Sequence, residues 1–161
     1  MKLTRLLLAI FLLVSVSGIA QTANVHAQPL SDDDIKLFKE DVQAVKDDII
    51  NHTMMFTDAE NATFWPVYRE YAKDQRAVAD KRLALITDYA QSLDKMDDAK
   101  AAQLTDRLLQ IEDETQALRR QYLPKFQKAL GAKRAAKFYQ VDNRLTLIVD
   151  VQLASEVPLI P

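Results

Sequence analysis

The sequence predicts an all-α fold: a four-helix chain arranged as an elongated, kinked hairpin that closes as a curved antiparallel homodimer. Three observations carry this. Apolar residues recur at spacings of three and four through four successive segments, about 31–52, 57–93, 97–130 and 132–155, the period of one helix face. Each segment opens on a side chain able to cap a helix or follows a glycine. Only two glycines occur in 161 residues, too few for a chain built on tight hairpins. Helices of some 35 residues would run to ~50 Å at 1.5 Å per residue. A hairpin of that length has little core per residue, and a second copy is the natural way to cover its remaining stripes.

Residues 1–27 differ from the rest. Lys2 and Arg5 give a positive start, Leu6 to Val16 form an apolar run broken only by Ser15, and Val25-His26-Ala27 is a small-x-small pattern before Gln28. This is the order a secretory signal peptide needs, with cleavage expected between Ala27 and Gln28. The apolar run falls short of the ~20 residues a membrane-spanning helix requires, so stable insertion after cleavage is not expected. Cleavage would remove two bases and no acid, taking the net charge from −2 to −4. Neither value offers a basic field for nucleic acid. The short leader suits the periplasm of a Gram-negative bacterium. With no cysteine, the domain 28–161 must draw its stability from packing.

The first helix opens at Ser31-Asp32-Asp33-Asp34, a cap followed by carboxylates in the positive first turn. Its expected stripe is Ile35, Phe38, Val42, Val45 and Ile49. Thr57-Asp58-Ala59-Glu60 is a capping box and opens the second helix. There Phe64, Tyr68, Tyr71, Gln75, Val78, Arg82, Leu85 and Tyr89 continue the stripe, with Gln75 and Arg82 as polar interruptions. Pro66 sits inside it and predicts a kink. Asp97 or Asp98 starts the third helix, whose seam is Leu104, Leu108, Ile111, Thr115, Leu118, Tyr122 and Phe126, with a second internal proline at Pro124. Gly131 is a stop. In the last segment, residues 145–153 also alternate as a strand would; the helical context favours helix. Residues 57–67 align with 131–141 at an offset of 74, matching Phe64 to Phe138, Trp65 to Tyr139 and Val67 to Val141. Two helix starts under one packing constraint, or a duplicated helical hairpin, both account for it.

Catalysis needs convergent unlike groups. Beyond the leader there is one histidine, His52, no E-x-x-H pattern and no glycine elbow, so no enzyme and no cofactor is expected. His52, Met54 and Met55 gather an imidazole and two thioethers at one helix corner. They are candidate soft-metal ligands, or methionines filling a corner beside an exposed histidine. Phe64, Trp65, Tyr68 and Tyr71 concentrate aromatic rings beside the Pro66 kink. Core packing at a bent helix accounts for them; so does a concave apolar surface that holds unfolded chains or a partner helix.

At these residues the chain resembles the Spy/CpxP superfamily of periplasmic proteins. Phe56-Thr57-Asp58-Ala59-Glu60 is similar to that group's LTxxQ motif, with Phe for Leu and Glu for Gln. Met96-Asp97-Asp98-Ala99-Lys100 and Leu130-Gly131-Ala132-Lys133-Arg134 are weaker echoes. The resemblance implies a four-helix curved dimer acting as an ATP-independent holdase chaperone in a stress response, with unfolded proteins held on a concave face. It implies, as alternatives, an adaptor for the periplasmic domain of a sensor kinase or an anti-sigma factor, or a metal sensor.

Overall fold

The computed structural model of the protein describes residues 32–160. The chain divides into two units, 1–37 and 38–161. Of the first, the described part is residues 32–37, the opening of a helix; the remaining described residues belong to the second. The expected leader and its cut at Ala27 and Gln28 lie outside the described residues.

Four helices follow one another: α1 (Asp32–Met54), α2 (Asp58–Ser92, continued by a 3₁₀ turn at Leu93–Lys95), α3 (Asp98–Leu130) and α4 (Ala132–Glu156). The described residues contain no strand, and 145–153 are helical. α2 packs along α3, and α3 along α4.

Local chemistry accounts for each boundary. The Glu60 amide donates to Thr57 Oγ1 (3.3 Å) and the Thr57 amide to Glu60 Oε2 (2.9 Å), the reciprocal pair of a capping box. Glu60 also pairs with Arg134 of α4; its carboxyl is held below the usual range, chiefly by the Thr57 amide bond. Asp97 accepts from the Lys100 amide at 2.7 Å and opens α3. Gly131, at φ +77° and ψ 157°, links α3 to α4 in a region that essentially only glycine occupies. Pro66 and Pro124 both lie inside continuous helices.

α1 is tied to α4 at its end. A helix C-terminus leaves carbonyls unpaired and carries partial negative charge. Here Arg134 Nη2 donates to the Met54 carbonyl (2.9 Å) and Lys137 Nζ to that of Thr53 (2.8 Å).

The main core is aromatic. Phe64, Tyr68 and Tyr71 of α2, Tyr122 and Phe126 of α3, and Phe138 of α4 are buried with Ile50, Met54, Ala72, Ala135 and Val141. The repeat-related Phe64 and Phe138 meet at 5.1 Å between centroids, edge to face, and Phe126 lies 4.5 Å from Phe138. A smaller core joins Leu85 to Leu104 and Ile111. In α1 the buried positions are Ile50 and Met54, while Ile49 is exposed; the stripe expected through Val45 and Ile49 therefore turns by one position. The reason is polar: the turns above Ile50 present Gln43 and Lys46 to α2. Ile35 and Phe38 of that stripe have side chains outside the described residues.

Candidate functional site

The aromatic block lies mostly inside. Phe64, Tyr68 and Tyr71 are each no more than 1% exposed, so these three rings present almost no surface to solvent. Trp65 is half-buried, packed edge-on to Phe64 at 5.2 Å, and its indole N–H donates to Asn61 Oδ1 at 2.9 Å. At the helix corner, Met54 is buried while His52 and Met55 are exposed. The Met54 thioether thus packs in the core, away from the other two candidate ligands. Met55 takes a positive φ of 50° to turn the chain into α2.

A buried polar cluster stands where the stripes are interrupted. Asp142 of α4 is fully buried and accepts from the Tyr71 hydroxyl at 2.9 Å and from Gln75 Nε2 at 3.5 Å. Two cations approach the same carboxylate at 3.9 Å, Lys46 from α1 and Arg119 from α3. Lys46 also donates to Gln75 Oε1 at 3.5 Å. All four helices therefore contribute to a single point: Lys46 from α1, Tyr71 and Gln75 from α2, Arg119 from α3 and Asp142 from α4. A buried carboxylate without partners is costly; here hydroxyl, amide and cations supply them. Burial pushes the Tyr71 phenol well above the ordinary tyrosine value, and the adjacent Asp142 charge adds to it. Burial likewise pushes Tyr139 up to about 12, with Asp142 as the next cause.

Next to this cluster the helices leave a groove of about 300 Å³. Val42 and Lys46 of α1, Val78 and Leu83 of α2, Leu118 and Arg119 of α3, and Leu145 and Val149 of α4 are among its walls. The lining is mainly apolar. Arg82, the second interruption of the α2 stripe, lines it too and pairs with Asp150 of α4 at 2.7 Å.

The C-terminal half of α4 is apolar on its outer side as well. Leu147, Ile148 and Val151 are 52%, 67% and 68% exposed, and their spacing places them on one face.

The sequence contained signs of the polar cluster. Asp142 falls at the stripe position of α4 between Phe138 and Leu145, and Gln75 and Arg82 break the stripe of α2. What pattern reading missed is that these interruptions answer one another across the bundle.

Comparison of the chain with protein families, characterised proteins and solved structures finds no match. Among the described residues, no helix is long and apolar enough to cross a membrane and no group of three or more His, Cys, Asp or Glu side chains could hold a metal ion.

Proposed function

We propose that this is an exported, non-enzymatic holdase of the periplasm that binds unfolded or stress-exposed proteins on the outer face of α4. One observation carries the reading. A helix apolar on all sides belongs in a core, yet Leu147, Ile148 and Val151 face outward. Contiguous exposed apolar surface marks a site of interaction. The all-helical fold agrees with the Spy/CpxP resemblance, and the leader-like residues 1–27 support export. We place the binding surface on α4, since Phe64, Tyr68 and Tyr71 of α2 are committed to the core and only Trp65 of that block is half-buried.

The test is aggregation of a chemically unfolded model protein, followed by light scattering without ATP. Suppression at near-stoichiometric ratios is expected. Ile148→Asp and Val151→Asp should abolish it while leaving the thermal midpoint of the folded chain unchanged. A second copy closing on this stripe would compete with clients, so the mass in solution is measured alongside. No suppression by a chain shown to be folded and helical sinks the holdase reading.

A further inference from the structure

We propose that the groove beside Asp142 is a binding site for a single-chain anionic amphiphile, of the kind represented by a medium-chain alkyl carboxylate. The inference is independent of the holdase reading, which concerns the outer face of α4.

Size comes first. Ligand sites between the helices of a bundle are mainly apolar, with a few placed polar groups. A groove of about 300 Å³ stands at the small end of the ~300–1,000 Å³ typical of small-molecule sites. That suits one alkyl chain and is small for a folded partner or a second helix. Val42, Val78, Leu83, Leu118, Leu145 and Val149 supply apolar walls from all four helices.

Charge selects the headgroup. Lys46 and Arg119 both line the groove and share one carboxylate, each at 3.9 Å from Asp142. That distance exceeds a direct hydrogen bond. The Arg119 Nε is buried and has no hydrogen-bond partner, so its guanidinium is incompletely satisfied by the protein. Arg76 adds a third cation on the lining, donating to Gln43 at 3.3 Å. The acids of the groove are Asp150, which is paired with Arg82, and Asp80. With Asp142 included, the bases exceed the acids by one. An anionic head beside Lys46 and Arg119 would balance that excess, and charge-assisted hydrogen bonds from both are the strong kind. A neutral head would gain less, and a cationic one would be repelled.

The experiment is calorimetric titration of the purified protein with decanoate, below its micelle concentration, against decanol, decyltrimethylammonium and acetate. Saturable binding of one decanoate per chain is expected, with decanol and decyltrimethylammonium at least tenfold weaker and acetate inactive. Arg119→Gln should weaken decanoate at least tenfold. Because Arg119 neighbours the buried Asp142, that variant could lose stability, so a second one fills the groove instead. Ala79 is exposed and lines it, and Ala79→Trp should block decanoate while the helical spectrum and thermal midpoint stay unchanged. The proposal is overturned if decanoate does not bind, if decanol or decyltrimethylammonium binds as tightly, or if folded Ala79→Trp still binds it.

Discussion

Replacing Asp142 with Asn keeps the size of the side chain and removes its charge. The carboxylate is fully buried and accepts a 2.9 Å bond from Tyr71. A hydrogen bond to a charged group contributes about 1.5–3 kcal/mol, against about 1 kcal/mol for a neutral one, so this change alone costs about 1 kcal/mol. The two cations at 3.9 Å, with side chains 21% and 18% exposed, lose their counter-charge. A unit pair at 4 Å has a gross attraction of about 4 kcal/mol at an effective dielectric constant of 20. Most of that is offset because a neutral amide is cheaper to bury than a carboxylate. The expected net cost of Asp142→Asn is about 2 kcal/mol. Asp142→Ala also strands the Tyr71 hydroxyl and opens a void, and should cost about 4 kcal/mol. Urea unfolding followed by far-ultraviolet circular dichroism measures both. If Asp142→Asn lies within about 0.5 kcal/mol of the parent, the buried charge adds nothing to stability, and the reasoning that makes Asp142 the ionic centre of the bundle fails.

Three further outcomes are expected. Gly131→Ala forces a Cβ into the φ +77°, ψ 157° region and should cost about 1–3 kcal/mol by urea unfolding, although no atom stands within 4 Å of the added carbon. Thr57→Ala removes one half of the capping box and should cost about 1 kcal/mol, read as a lower thermal midpoint. Burial, the leading cause, raises the phenols of Tyr68, Tyr71, Tyr122 and Tyr139, the last two to about 12. The folded state therefore holds protons that the unfolded chain releases near pH 10, and stability should fall as pH rises from about 10 towards 12. Tyrosinate absorbance should lag that of the urea-unfolded chain across this window; coincident titration curves would contradict the burial.

The helix limits were legible because caps and breakers are local. Thr57, Glu60, Asp97 and Gly131 act within three or four residues of themselves, and each boundary fell within two residues of its expected place. Most of the seams of α2 and α3 was legible because the residues that repeat there, such as Phe64, Tyr71, Leu104 and Phe126, are large and apolar; Leu108, expected in the α3 seam, is exposed. The end of α1 was read one position off, at Ile49 in place of Ile50, because the inward face before it also carries Gln43 and Lys46, which a hydropathy pattern assigns to solvent. Whether an aromatic block is core or surface was not legible either. Phe64 and Tyr68 look alike on a buried and on an exposed stripe, and only Phe126 and Phe138, arriving from distant parts of the chain, decide it. The meeting of Lys46, Tyr71, Arg119 and Asp142 depends on the registers of four helices at once, and no local pattern encodes that.

Over residues 142–151, α4 departs from the usual arrangement of a bundle helix, in which charge faces water and apolar side chains face inward, although Leu145 still packs against the core and Arg144 is exposed. Its acids Asp142 and Asp150 turn toward α2 and are matched there by Tyr71, Gln75 and Arg82, while Leu147, Ile148 and Val151 face out. Neither half of this arrangement is needed to form the helix. Polar residues at the outer positions would leave the fold within about 0.5 kcal/mol, and apolar residues of similar volume at an inner ionic site are often as stable as the pair they replace. An inward charge cluster beside an apolar groove and an outward apolar face are therefore poorly explained by folding alone. Each has the form of a surface meant to be covered, the inner one by a small anionic amphiphile and the outer one by another polypeptide.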